Sequence, residues 1–571
     1  MGAERRTLAL LLLLFVASRV AWIHWWPASI TYWEESSRWV AANEFLHGPF
    51  HPLLAYQADN YQAGSLVMTL ATAAAMKVFG QSVFVFKAVS VAAGVATLGL
   101  LVAVARRAYG NRTAVAAAAL YVAAPPLVAV WSLVQLGSHP EGLLFSLSAM
   151  LLFLRLGRNA DDAPAWALFG VVTGAGLWFT PTTVFGPAAC AAAWLLLYGL
   201  PPLRSSASAA IGALVGLAPW IGANLTNGGA GLERIAQIFG HRDAIDTWLV
   251  QSLEERLVAI VTNDFPRGAM LVAEPDVARP IAIVLAASCA LLFAWALLPV
   301  VVRAARAVVA ARTDPSPAVD GDARADTLFA VHSVLFFATM LAIDYSVSRP
   351  EPVHFRFYVL WLVPVLIPLA AALAGAGGGR STGASPSRRR SVVLAVWLAV
   401  SAAATVRYVA AHADDHAPLA SRAGYTIQGL LVYQKAPQDL AAALAFSDRI
   451  DDVNLRHSFD MGIGWGITVH VHSRHSTPGK LIEQVAALPP ATRASIYTGL
   501  DWTLKRQLAN WPDHVDPATL PSDERRYRFV LKALQRHVDK AFETVAPADQ
   551  WRGKTPPTYP GYFPDDERID R

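Results

Sequence analysis

The sequence predicts an all-α polytopic membrane protein of about eleven spanning helices, followed by a mainly helical soluble domain. Three observations carry this. Only 16% of the 571 residues are charged and 54% are apolar, whereas soluble proteins are roughly 25% charged. Eleven apolar runs approach the length of about 20 residues that a helix needs to cross a bilayer. Residues 413–571 hold 39 of the 89 charged residues, so the chain turns from membrane-like to water-like near residue 412. The expected domains are therefore 1–412 and 413–571.

The runs lie near 7–26, 83–105, 113–134, 140–156, 164–180, 182–200, 205–223, 278–302, 325–346, 357–375 and 391–411. The first is expected to be an anchor rather than a signal peptide, because it is long, ends in Trp25 and Trp26, and has no small-residue cleavage site. A twelfth stretch, 64–80, is shorter, Ala-rich and carries Lys77, which suits an interfacial or re-entrant position. Basic residues cluster at Arg5–Arg6, Arg106–Arg112, Arg155 and Arg158, Arg204, Arg303–Arg312 and Arg380–Arg390. All six fall on one side only if 64–80 does not cross. The positive-inside rule then predicts a cytoplasmic N-terminus, with the first loop 27–82, the loop 224–277 and the whole tail outside.

Pro437–Ile450, Pro478–Leu488, Pro490–Asn510 and Pro521–Val545 start near proline and show helical apolar spacing. Phe459, Gly462, Ile463 and Trp465 are echoed 37 residues later by Ile496, Gly499, Leu500 and Trp502, with Gly429–Leu430 a fainter third copy. The tail is expected to hold a helical repeat. Its 19 basic residues balance 20 acidic ones, which gives no electrostatic footprint for nucleic acid. Cys190 and Cys289 sit in apolar runs, where cysteine behaves as a small hydrophobe.

Three segments carry groups capable of chemistry. Glu34 and Glu35 follow the first apolar run, and a placed carboxylate there could act as a general base at the lipid surface; two solvated loop acids are the plainer reading. His139-Pro140-Glu141 opens a helix at the expected outer face, where Glu141 is either a cap-like acid on the helix dipole or a functional membrane-edge group. Arg356, in the segment Arg349–Tyr358 with His354, is a cation at the outer surface, where positive charge is disfavoured. Its planar fork suits a phosphate, while snorkelling to headgroups explains it equally. His470, His472 and His475 lack a neighbouring acid or cysteine ligand, so no metal site and no cofactor are expected.

Taken together these motifs resemble the GT-C superfamily of polyprenyl-phosphate-sugar glycosyltransferases, near the protein mannosyltransferase and aminoarabinose transferase group, over roughly residues 1–375. Glu34-Glu35 stand where members have an Asp-Glu pair. Tyr61-Gln-Ala-Gly64-Ser65 leads to Val78-Phe-Gly80 and to Lys87, where arginine is commoner. Ala105 to Gly110 matches a helix end of the form Ala-Arg-Arg-aromatic-Gly, Gly137-Ser-His-Pro-Glu141 a later acid, and Arg356-Phe-Tyr358 with Pro364 and Pro368 the late Arg-aromatic motif. The resemblance implies a membrane enzyme that moves a sugar from a polyprenyl-phosphate carrier to a glycan, lipid or protein hydroxyl on the outer face of the plasma membrane. It implies Glu34 or Glu35 as the catalytic base, and Tyr61, Lys87, His139, Glu141, His354 and Arg356 as substrate-binding residues. A transporter, or a scaffold presenting its helical tail, is the alternative; the first should show matching halves and intramembrane charges.

Overall fold

The computed structural model describes residues 2–25, 35–47, 53–57, 63–156, 161–226, 228–229, 231–232, 254, 279–313, 321–342, 357–375, 388–411, 422–435, 440–472, 483–509 and 522–543. Among these residues every regular element is helical. By length and composition seven helical segments can cross a membrane, and 64–79, 163–179 and 359–374 are shorter apolar helices. The chain divides into two compact units, one of residues 1–25, 51–71 and 84–411, the other of 26–50, 72–83 and 412–571.

In the first unit, α1 (Gly2–Trp25) precedes α4 (Val83–Tyr109), the second half of α3 (Gly64–Phe79) and all of α2 (Glu35–His47) being grouped with the second unit. The expected span 113–134 is broken. It forms α5 (Asn111–Val122) and α6 (Pro126–Trp131), because Pro125 and Pro126 have no N–H to continue the ladder. Helices α7 (His139–Leu156), α8 (Ala163–Phe179), α9 (Phe185–Tyr198) and α10 (Leu203–Thr226) follow. Gly170 and Gly174 of α8 lie on the backbone of Ala209 and Ala213, and Gly212 and Gly216 of α10 on that of Ala167 and Val171. That is how small residues bring membrane helices together.

The unit is completed by α11 (Arg279–Thr313), α12 (Gly321–Ala342), α13 (Val359–Ala374) and α14 (Arg388–Ala411). Helix α13 is apolar on all faces and buried almost throughout, as a central helix must be; it packs on α5, α7, α11, α12 and α14. Conversely, leucines 10, 12, 13 and 14 of α1 and valines 392, 393, 396 and 400 of α14 are exposed, the side chains a bilayer would cover.

One end of this unit is tied by polar contacts. Arg303 forks onto Asp326 at 2.6 and 3.0 Å, and the Tyr109 hydroxyl donates to the same carboxylate at 2.7 Å. Arg324 donates to the Tyr198 hydroxyl at 3.1 Å and to the Leu154 carbonyl at 3.4 Å, and Arg312 to the Leu195 carbonyl at 3.5 Å. The C-terminal ends of α4, α7, α9 and α11 and the start of α12 therefore share one end of the unit, beside Arg106, Arg107, Arg155 and Arg303.

In the second unit, α15 (Arg422–Lys435), α16 (Leu440–Ser447), α17 (Val453–His472), α18 (Pro490–Ala509) and α19 (Ser522–Glu543) form a stack in which α17 lies between α15 and α18. The echoed glycines make the crossings. Gly429 meets the backbone of Phe459 and Ile463, Gly462 that of Thr426 and Leu430, and Gly499 that of Met461. Trp465 and Trp502 meet edge to face at 5.5 Å. Helix α2 packs on α15, and its Val40 belongs to the same apolar core as Tyr433, Phe459, Tyr497 and Leu534.

Candidate functional site

Helices α4, α7 and α9 have their C-terminal ends at the Arg303–Asp326 end of the first unit, so their N-termini lie at the other. Val83 is about 40 Å from Tyr109 at 1.5 Å per residue. The motif residues gather at this second end. Gly64 and Gly137 touch backbone to backbone, Ala63 N–H donates to the Trp178 carbonyl at 3.0 Å, and the Trp178 indole donates to Gln57 at 3.2 Å. The Gln-Ala-Gly and Gly-Ser-His-Pro-Glu motifs, 73 residues apart, are thus one structural feature.

Glu141 is 3% exposed. Its carboxylate accepts from the amides of Leu136 at 3.1 Å and Ser138 at 3.2 Å. With His139 opening α7, Ser138-His-Pro-Glu141 is a capping-box arrangement in which the third helical residue reaches back to the N-cap amide. These two contacts are those of a cap-like acid at the start of α7.

His139 is equally buried. Its Nδ1 lies 2.8 Å from the Thr182 hydroxyl, which is 3.2 Å from that of Thr180. Its ring packs on Phe357 at 4.2 Å between centroids, so the late Arg-aromatic motif joins the site through the neighbour of Arg356. Thr180 and Thr182 were not foreseen; the sequence signal is Thr180-Pro-Thr-Thr183, a polar interruption between two apolar runs. Trp361, further along α13, donates to Ser333 at 3.1 Å.

Lys87 is 1% exposed and has interaction partners. It sits on the face of α4 that continues through Ser90, Gly94 and Thr97, and these residues line a cavity of about 20 Å³ with Tyr121, Ser132 and Glu141. That volume suffices for one water. Ser90 Oγ is buried without a hydrogen-bond partner.

The remaining expected residues divide into two groups. Glu34, Tyr61, His354 and Arg356 lie outside the described residues, as does His475. Glu35 belongs to the second unit, where it is fully buried and opens α2. Further along the same helix, Glu44 is 1% exposed and its Oε2 has no hydrogen-bond partner; the sequence reading passed over it because it sits inside an apolar helical pattern. Among the described residues no group of three or more His, Cys, Asp or Glu is arranged to hold a metal.

No curated protein matches the chain. A crystal structure of the Archaeoglobus fulgidus oligosaccharyltransferase in the apo form is similar at 13% identity and a TM-score of 0.42, over 76% of this chain. The chain spans 58% of the length of that protein. Residues 64–222, the stretch that holds Lys87, His139 and Glu141, match the family model of the dolichyl-phosphate-mannose-protein mannosyltransferases.

Proposed function

We propose that the chain transfers a sugar from a polyprenyl-phosphate carrier to a hydroxyl acceptor at the outer face of the plasma membrane. The observation that carries this reading is the gathering of the Gly64, Gly137–Glu141 and Phe357 motifs at the end of the helix bundle opposite the Arg303–Asp326 network. The positive-inside rule assigns the arginine-rich end to the cytoplasm. The motif end is then extracytoplasmic, as are the first loop and the tail.

In the reaction, the carboxylate of Glu34 or Glu35 accepts the acceptor's hydroxyl proton as that oxygen forms a bond to the sugar's anomeric carbon. The bond from that carbon to the carrier phosphate breaks, and its electron pair leaves with the lipid phosphate. Lys87 and Arg356 stabilise the phosphate's charge. Tyr61, His139 and His354 offer hydrogen bonds to the donor, and the capped Glu141 holds the start of α7, from which His139 projects. No metal or cofactor has a part in this scheme, because the two cations balance the leaving group.

The test is transfer of a radiolabelled sugar from a short-chain polyprenyl-phosphate donor by the purified chain in lipid nanodiscs. A placed base contributes about 10² to 10⁴ in rate, so Glu34→Gln or Glu35→Gln is expected to lower turnover by that order with membrane insertion unchanged. Full activity of both single variants and of the double variant would sink the base assignment.

A further inference from the structure

The second unit contains none of the residues assigned above except those of the first loop, yet its apolar core reaches into that loop. Helix α2, which begins at Glu35, packs on α15, nearly four hundred residues later in the chain. Val40 is fully buried in the core built by Tyr433, Phe459, Ile463, Tyr497 and Leu534. Trp39, Ala41 and Ala42 are also buried, so the short helix has apolar cover on several faces. Asn43 is held as well, since the Gln81 amide donates to its Oδ1 at 2.6 Å.

A thirteen-residue helix has little stability of its own, because nucleation is unfavourable and isolated helices shorter than about 12–15 residues are marginal in water. Its order must come from packing. Helix α15 is fixed in turn by the Gly429–Gly462 crossing with α17, and α17 by the Gly464–Gly499 crossing with α18. Order therefore passes from α18 through α17 and α15 to α2.

We propose that the C-terminal helical stack is a positioning domain for the first-loop helix, and that Val40 is the positioning residue through which it holds Glu35. The inference rests on the transfer reading for its consequence in catalysis, while the coupling of α2 to the stack is independent of it. Without the stack, the loop carboxylate would keep its chemistry and lose its fixed place, and misplacement of a catalytic group by about 1 Å can cost on the order of 10²-fold in rate.

The experiment uses the full chain in lipid nanodiscs, with hydrogen exchange read by mass spectrometry over 35–47 and 422–435 beside steady-state transfer. Val40→Ala removes two buried methyl groups and is expected to raise exchange over 35–47 roughly tenfold. It should lower kcat with the donor KM unchanged. Val40→Ile keeps the branched contact and should restore both. Gly429→Val forces α15 off α17 and should raise exchange in 422–435 and 35–47 together.

Opening of 422–435 by Gly429→Val with 35–47 still protected and kcat intact would overturn the proposal. Should that variant fail to insert, the Val40 pair decides alone, and equal exchange in Val40→Ala and the wild type rejects it. A wild-type chain that transfers no sugar would remove the transfer reading, and the exchange coupling would still show whether the stack holds α2.

Discussion

Gly64 and Gly137 are packed so closely that neither position has room for a side chain. A Cβ on Gly137 would lie 2.5 Å from the Gly64 carbonyl carbon and the Ser65 nitrogen, and one on Gly64 would strike the Gly137 carbonyl and stand 2.7 Å from the Phe179 ring. Gly137 also has φ of +64°, a left-handed conformation that costs an L side chain roughly 1–2 kcal/mol. The contact joins α3 to the loop that caps α7 through Glu141.

These two burdens rank three variants. Gly137→Ala bears both the strain and the collision, which overpacking places at about 1–3 kcal/mol, and should lose the most thermal stability. Gly64→Ala bears the collision alone. Gly228→Ala, at φ of +64° with nothing near its Cβ, bears only the strain and is the control. Thermal unfolding of the three purified variants checks the order, and equal losses at Gly137 and Gly228 would show that the backbone contact is absent.

Arg19 braces the broken helix. The Val122 carbonyl would normally accept from residue 126, which is Pro126; Arg19 Nη1 donates to it instead at 3.2 Å, while Nε donates to Ser132 at 3.1 Å. Phe15 and Trp22 flank the guanidinium at 4.4 and 4.8 Å, and Nη2 has no hydrogen-bond partner. Thr405 Oγ1 serves the Ala124 carbonyl at 3.1 Å. Arg19→Lys retains a buried charge and loses most of these bonds, whereas Arg19→Met removes the charge and leaves one carbonyl unpaired at about 1–3 kcal/mol. The expected order of melting temperatures is wild type, Met, Lys; a lysine variant as stable as the wild type would refute the brace.

The membrane helices were legible because long apolar runs are the strongest signal a sequence carries, and the break at Pro125-Pro126 was present but hidden inside an uninterrupted apolar run. Helices α15 and α17 were missed as helices, although their echo with α18 was seen. Glycine costs a helix about 1 kcal/mol relative to alanine, and α17 carries Gly462, Gly464 and Gly466; the crossings that demand these glycines exist only in the folded stack. The motifs of the candidate site were readable as an order along the chain. That Gly64 meets Gly137 and His139 meets Phe357 was not readable, since contacts at such separations leave no local period.

Asp460 gives the tail a dependence on pH. It is 1% exposed and accepts from Ser447 Oγ at 2.6 Å, joining α16 to α17. Burial pushes its carboxyl up to about 7, with the Ser447 bond and Arg456 opposing and Asp448 reinforcing the rise. An unfolded aspartate titrates near 3.9, so between about pH 4 and 7 the folded state binds more protons. The contribution to stability is therefore greatest below pH 4, falls as pH rises to about 7 and is level above it. Asp460→Asn should flatten this slope and protect 453–472 better at pH 8. Exchange protection corrected for intrinsic rate checks it, and equal slopes in both proteins would reject the buried acid.

Metal removal tests a different part of the scheme. With Lys87 and Arg356 assigned to the leaving phosphate, dialysis against EDTA should leave transfer unchanged, and readdition of Mg²⁺ or Mn²⁺ should not raise it. A loss of activity restored by one of these ions would show that a cation other than the two side chains carries that charge.

Arg356 is the sharper test of the donor end, because Phe357, the next residue in the chain, packs on His139. If the guanidinium holds the carrier phosphate in a fork, lysine keeps the charge and loses the paired donors. A hydrogen bond to a charged group contributes roughly 1.5–3 kcal/mol, so Arg356→Ala should lose about ten- to a hundredfold in donor use, and Arg356→Lys should lose less. An arginine that merely snorkels to headgroups predicts the reverse pattern: lysine replaces it without loss, and alanine lowers expression rather than turnover. Phe357→Leu adds a positional control, since it removes the ring contact with His139 while leaving the charge, and should raise the donor KM. Measuring donor dependence at matched protein levels separates the two readings, and a fully active Arg356→Lys rejects the phosphate fork.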